Sequence, residues 1–129
     1  MLKVPHEIQL HLTHSCNLTC EGCTHYMNQG HSGNVSLETA SDWYDQWRGK
    51  ILPKRITLMG GEPSLHPDLT EFVYLTREKW PNSYIEIVSN GFFLHRHANL
   101  HIQIFAYPRT QRSLLFVGNS YIFLTSIPV

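Results

Sequence analysis

Three short runs of alternating apolar and polar residues, each followed at once by a polar or glycine-rich segment, constrain the fold of this chain most. Glu7 to Thr13 (EIQLHLT) places Ile8, Leu10 and Leu12 on one face, the period of two that a half-buried strand requires. Arg55 to Met59 (RITLM) reads as a second short strand and Tyr84 to Val88 (YIEIV) as a third. Helical patterns lie between them. Ser36 is a suitable N-cap with Glu38 in the first turn, and Leu37, Ala40, Tyr44 and Trp47 form a stripe that ends near Gly49. Asp68, with Glu71 three residues on, has the form of a capping box. Leu69, Phe72, Val73 and Thr76 then line one face until Pro81-Asn82 stops the helix. Trp43 and Trp47, at i and i+4, read as helix packing, and Glu71, Arg77, Glu78 and Lys79 as a solvated face.

Strand and helix alternate with a repeat of roughly 40 residues, about three βα units, which predicts an α/β fold with a parallel sheet and helices outside. Function in such folds gathers at the carboxyl ends of the strands. There the first strand runs into a loop holding Cys16, Cys20 and Cys23, the second into Gly60-Gly61-Glu62-Pro63, and the third into Ser89-Asn90-Gly91. Three unusual motifs are thus expected to meet at one end of one sheet.

Cys16, Cys20 and Cys23 are the only cysteines, spaced C-x3-C-x2-C on a stretch whose Asn17, Thr19 and Gly22 favour loop. Three thiolates within eight residues are a soft donor set suited to iron–sulfur or zinc. A cube of four irons held by three cysteines leaves one iron without a protein ligand, where a substrate or cofactor can bind. A zinc ion would instead recruit His14 or His25 to complete a Cys3His tetrahedron. The remaining histidines show no paired spacing on one face and read as surface or satisfied core residues, with His66-Pro67-Asp68 a loop and helix cap. The adjacent glycines allow close approach of backbone to a ligand. Glu62 is placed either to hold the strand-to-loop geometry or to sit near a cationic group, and Ser89-Asn90-Gly91 is either a ligand-contacting turn or a plain strand end.

The cysteine spacing after a strand and before a helix, with Gly60-Gly61-Glu62 after the next strand, resembles the radical S-adenosylmethionine (SAM) superfamily over about residues 5 to 95. The resemblance implies a partial TIM-like (β/α) barrel with a 4Fe–4S cluster at its C-terminal face. Cys16, Cys20 and Cys23 would bind three irons, and the amino and carboxylate groups of SAM the fourth. Gly60, Gly61 and Glu62 would contact the SAM amino group through their backbone, with Ser89 and Asn90 matching a polar turn near the same cofactor. Reductive cleavage of SAM to a 5′-deoxyadenosyl radical would follow, fed by an external electron donor such as flavodoxin or ferredoxin, on a substrate that the residues do not specify. The residue before the last cysteine, often aromatic in the superfamily, is Gly22 here, and Tyr26 is a candidate replacement. The contrasting readings are a non-catalytic Cys3His zinc module and an inactive truncated fragment.

Composition bounds the rest. At 129 residues with ten basic and ten acidic side chains, the chain has no basic footprint for nucleic acid and no polybasic membrane patch. An odd set of clustered thiols and the lack of a signal-peptide core in MLKVPHEIQL argue for the reducing cytoplasm. After Glu86 no Asp or Glu occurs in the remaining 43 residues, and lysine stops at Lys79. Residues 1–95 are therefore expected to form a partial core domain. Residues 96–129 are expected to be an irregular tail, the mark of a truncated or frameshifted remainder, with LHIQIFAY, LLFV and YIFL as possible strands and no third helix.

Overall fold

A computed structural model describes residues 3–21, 23, 25, 27, 30–97, 99 and 100, together with the backbone of strands at 102–106, 112–117 and 120–125. The elements run β1 (Glu7–Thr13), α1 (Leu37–Trp47), β2 (Arg55–Gly60), a 3-10 turn (Pro63–Leu65), α2 (Leu69–Lys79), β3 (Tyr84–Ser89) and a second 3-10 turn (Leu94–Arg96). Then come β4 (Ile102–Ala106), β5 (Arg112–Val117) and β6 (Ser120–Thr125). All three expected strands and both expected helices form, so the chain is α/β.

β1 pairs parallel with β2 and β2 with β3, with Ile8 opposite Ile56 and Ile56 opposite Ile85. Period two then puts Ile8, Leu10, Leu12, Ile56, Leu58, Ile85 and Ile87 on one face, where they join one core with Ala40 and Tyr44 of α1 and Leu69, Phe72 and Val73 of α2. Tyr44 is fully buried, with its ring edge-on to Trp80 at 4.9 Å and its hydroxyl 2.9 Å from Thr76 Oγ1. The helices therefore cover one face of the sheet, as two βα units demand.

The sheet continues past the expected three strands, in the order β1-β2-β3-β6-β5-β4. β6 is parallel to β3, and β5 runs antiparallel to both β6 and β4. The runs read as possible strands in the tail form β4, β5 and β6. The three apolar runs are strands, and what they lack is an intervening helix; among the described residues only a 3-10 turn separates β3 from β4. Hairpin-linked antiparallel strands need no helical crossover, which is why no helical period is present there. Among the described strands the sheet is open, with β1 and β4 at its edges.

Local expectations fared unevenly. Ser36 Oγ accepts the Thr39 N–H at 3.1 Å, as an N-cap should. The capping box at Asp68 does not form. Asp68 has φ −99° and ψ 24°, not the extended backbone usual at an N-cap, and its side chain makes no cap bond. His66 Nδ1 instead accepts the Asp68 N–H at 3.1 Å. Trp47 packs against the core, whereas Trp43 is exposed. Arg77 and Lys79 are not merely solvated. Arg77 Nη1 donates to the Pro81 and Ser83 carbonyls at 2.9 and 2.8 Å, closing the turn after α2, and Lys79 pairs with Asp45 of α1 at 2.6 Å.

The sheet face away from the helices carries Glu7, Thr57 and Glu86. Thr57 Oγ1 lies 2.8 Å from Glu7 Oε1 and 2.9 Å from Glu86 Oε2, yet a hydroxyl has one proton to give. The Thr57 hydrogen bond, with that of Gln9, holds the Glu7 carboxyl below its usual range, while burial pushes Glu86 up despite Thr57 and Arg55. The one hydroxyl proton thus favours the ionised form of Glu7, while burial favours the protonated form of Glu86. A raised carboxyl pKa means that the folded state holds its proton after the unfolded chain has released it, so stability falls as pH rises above 4.5. Glu86→Gln keeps the hydrogen bond without the charge. Urea denaturation should find it more stable than wild type at about pH 7, with the difference vanishing at about pH 4.

Candidate functional site

The carboxyl ends of β1, β2 and β3 are locked together by hydrogen bonds between the three motifs. At the end of β1 the register slips, so that Thr13 rather than Leu12 stands opposite Gly60. The Gly61 N–H then donates to the Thr13 carbonyl and the Glu62 N–H to the Ser15 carbonyl, each at 2.8 Å. No side chain fits at that crossing. A Cβ on Gly60 would collide with the Thr13 carbonyl oxygen, and one on Gly61 with the Ser15 carbonyl oxygen, while standing 3.1 Å from Cys16 Cβ. Gly60 also has φ +152°, in the region that favours glycine. The two glycines seat the second motif directly on the root of the cysteine loop.

That loop is tied where it leaves β1 and where it returns. The His14 N–H donates to the Gly33 carbonyl at 2.9 Å and the Val35 N–H to the Leu12 carbonyl at 2.9 Å. Thr13 Oγ1 donates to the Gly33 carbonyl and accepts the Ser15 N–H. The polar segment after the cysteines therefore comes back against the end of β1.

Glu62 joins the second motif to the third. It is 1 % exposed. Its Oε1 accepts from the Ser64 N–H at 2.9 Å, the Ser64 hydroxyl at 2.5 Å and the Ser89 hydroxyl at 2.6 Å, and its Oε2 accepts the Asn90 N–H at 2.7 Å. Ser89 Oγ in turn accepts the Gly91 N–H at 3.0 Å. Of the two roles open to Glu62 on the sequence, holding the strand-to-loop geometry is the one these bonds perform. Two histidines, His66 of the expected loop and helix cap and His97, brace the same turn. His97 Nε2 donates to the Ser64 carbonyl at 3.0 Å and His66 Nε2 to the Val35 carbonyl at 2.8 Å, both rings buried. No spacing rule would have found His97, which lies 33 residues from its partner.

Cys16, Cys20 and Cys23 are half-buried, with the Cys23 N–H 3.2 Å from the Cys20 carbonyl and no disulfide among them. Burial raises the Cys16 thiol pKa first. The charges of Glu62, Cys20 and Cys23 add to this, and a hydrogen bond from the Leu18 backbone opposes it. The thiols are thus within electrostatic reach of one another. Among the described residues no group of three or more His, Cys, Asp or Glu side chains is gathered as a ligand set. The two histidines considered as a fourth zinc ligand have ring neighbours of their own: His25 is edge-on to His11 at 4.8 Å, and His14 is 6.5 Å from His31. Gly22 and Tyr26, considered for an adenine contact, lie outside the described residues.

The family model of the radical SAM superfamily matches residues 10–104, from β1 into β4. The chain belongs to the radical SAM superfamily. A search of curated proteins returned no match. The matched region of this radical SAM chain contains all three motifs and every hydrogen bond that joins them. Among the described residues no helix is long and apolar enough to cross a membrane.

Two substitutions test how the radical SAM motifs are held. Gly61→Ala drives a methyl into the Ser15 carbonyl, and the loss should be about 1–3 kcal/mol in denaturant unfolding. Glu62→Gln turns an acceptor into a donor facing buried donors. It should cost about 2 kcal/mol, read from the same unfolding curves.

Proposed function

We propose that this chain binds a 4Fe–4S cluster through Cys16, Cys20 and Cys23, and SAM beside it, and that it supports reductive cleavage of SAM. The observation that carries the reading is the junction of the cysteine loop with Gly60-Gly61-Glu62 and Ser89-Asn90. The donor chemistry suits the cluster: three half-buried thiols on one loop, with Cys20 and Cys23 near enough to add to the rise of the Cys16 thiol pKa. When bound, the cluster would supply the electron for reductive cleavage of SAM, with Cys16, Cys20 and Cys23 holding it.

The work of the chain itself is positioning and shielding. Glu62 sets the end of β2 against the turn after β3, and Gly60 and Gly61 let the backbone of β2 lie beside Cys16. We assign Gly60, Gly61, Glu62, Ser89 and Asn90 to the wall of the SAM site, the first three through backbone groups. In this reading the parallel strands are part of a (β/α) barrel, residues 1–95 hold the cofactor-binding core, and an external reductant such as flavodoxin or ferredoxin delivers the electron. Reduced clustered thiols suit the cytoplasm.

Anaerobic reconstitution tests the proposal. A brown protein with about four irons and four sulfides per chain, whose spectrum changes on adding SAM, is the expected result. Formation of 5′-deoxyadenosine under dithionite would demonstrate cleavage. Cys20→Ala should lose the cluster entirely, and an intact cube in that variant would remove Cys20 from the ligand set. A colourless chain carrying one zinc would replace the cluster reading with that of a zinc module.

A further inference from the structure

Asn17 follows Cys16 directly, and Asn90 sits in the turn after β3, 73 residues away in the sequence. Their side chains meet, with Asn90 Nδ2 donating to Asn17 Oδ1 at 2.9 Å. The direction of that bond is set by the surroundings of Asn90. Its Oδ1 accepts the Phe92 N–H at 3.2 Å, and its own N–H is held by Glu62 Oε2 at 2.7 Å. An amide whose oxygen is engaged by a turn N–H presents its nitrogen on the other side, so Asn90 is a preset donor and Asn17 the acceptor. On the other side of Cys16, the Ser15 carbonyl accepts the Glu62 N–H at 2.8 Å. Cys16 therefore stands between two tethers, one to the end of β2 and one to the turn after β3. Both lead back to Glu62.

We propose that Asn90 is a positioning residue for the cysteine loop. Through Asn17 its amide holds Cys16 at the junction of the three strand ends, so that the metal-free loop is already arranged to take up the cluster. This rests on the reading of Cys16, Cys20 and Cys23 as cluster ligands. The physical gain is preorganisation. A loop restrained before binding loses less conformational freedom when its thiols are fixed on irons. The bond is neutral and exposed, so its effect on loop opening is modest, about threefold.

The test uses the metal-free chain and reads the thiols directly. Asn17→Ala and Asn90→Ala should each speed alkylation of Cys16 by iodoacetamide about threefold, resolved by mass spectrometry. The double variant should be no faster than Asn90→Ala alone, because Asn17→Ala removes only a bond that Asn90→Ala already removes. Under anaerobic reconstitution the single variants should also take up iron about threefold more slowly than wild type. Unchanged Cys16 alkylation in both singles, or effects that multiply in the double, overturns the proposal. So does faster alkylation that tracks a matching fall in the denaturation midpoint, since that marks general unfolding. Alkylation as expected in a wild-type chain that takes up no cluster upholds the tether and overturns the cluster reading alone.

Discussion

The buried carboxylate of Glu62 is the interaction on which the candidate site depends. A charge that is 1 % exposed is tolerable only when hydrogen bonds replace the water it has lost. Here four donors do so, two from Ser64 in its own 3-10 turn and two from Ser89 and Asn90 at the end of β3. The requirement runs both ways. The carboxylate needs those donors, and β3 has to end in a residue with a hydroxyl followed by an unpaired N–H. Three donors fall on Oε1 and one on Oε2, so what acceptor capacity the group retains is on Oε2, beside Asn90.

Gly60 and Gly61 supply the matching steric constraint. The bonds from Gly61 and Glu62 to the carbonyls of Thr13 and Ser15 bring two backbones together where a Cβ would overlap an oxygen. One short segment thus reaches both neighbours, backbone to backbone with the cysteine loop on one side and carboxylate to turn with β3 on the other. Parallel strands ordinarily communicate through slanted ladder bonds alone. Past the ends of β1, β2 and β3, the linkage passes to the side chain of Glu62 and the two missing side chains beside it.

Elements carried by a local period were legible in the sequence. Ile8, Leu10 and Leu12 announced β1, and Ala40 and Tyr44 the buried face of α1, because burial on one face imposes the spacing directly. The meeting of three motifs was legible too, since parallel strands linked by helices bring their carboxyl ends together. The particular bonds were not. Whether Asp68 caps α2 depended on a backbone angle, and His66 took up the Asp68 N–H instead. The Asn17–Asn90 and His97–Ser64 contacts join residues 73 and 33 positions apart, and no residue type or spacing encodes them. The glycines were expected to admit a ligand; their first neighbour is the chain itself. The tail's apolar runs were legible as possible strands but not their order in the sheet, because antiparallel strands joined without helices carry no βα repeat.

The two faces of the sheet bear on what kind of α/β fold this is. Strands of a doubly wound sheet are covered by helices on both sides and tend to be apolar throughout. Here β1, β2 and β3 alternate. Ile8, Leu10, Ile56, Leu58, Ile85 and Ile87 join the core beneath α1 and α2, while Thr57 lies within hydrogen-bond distance of both Glu7 and Glu86 on the other side, with Arg55 3.8 Å from Glu86. A hydrogen-bonded polar face on strands that, among the described residues, carry helices on the other side suits a wall that curves around a polar interior. The barrel proposed for this chain draws on that asymmetry. It puts the Glu7–Thr57–Glu86 network on the inner surface, below the rim where Glu62 ties the three motifs together.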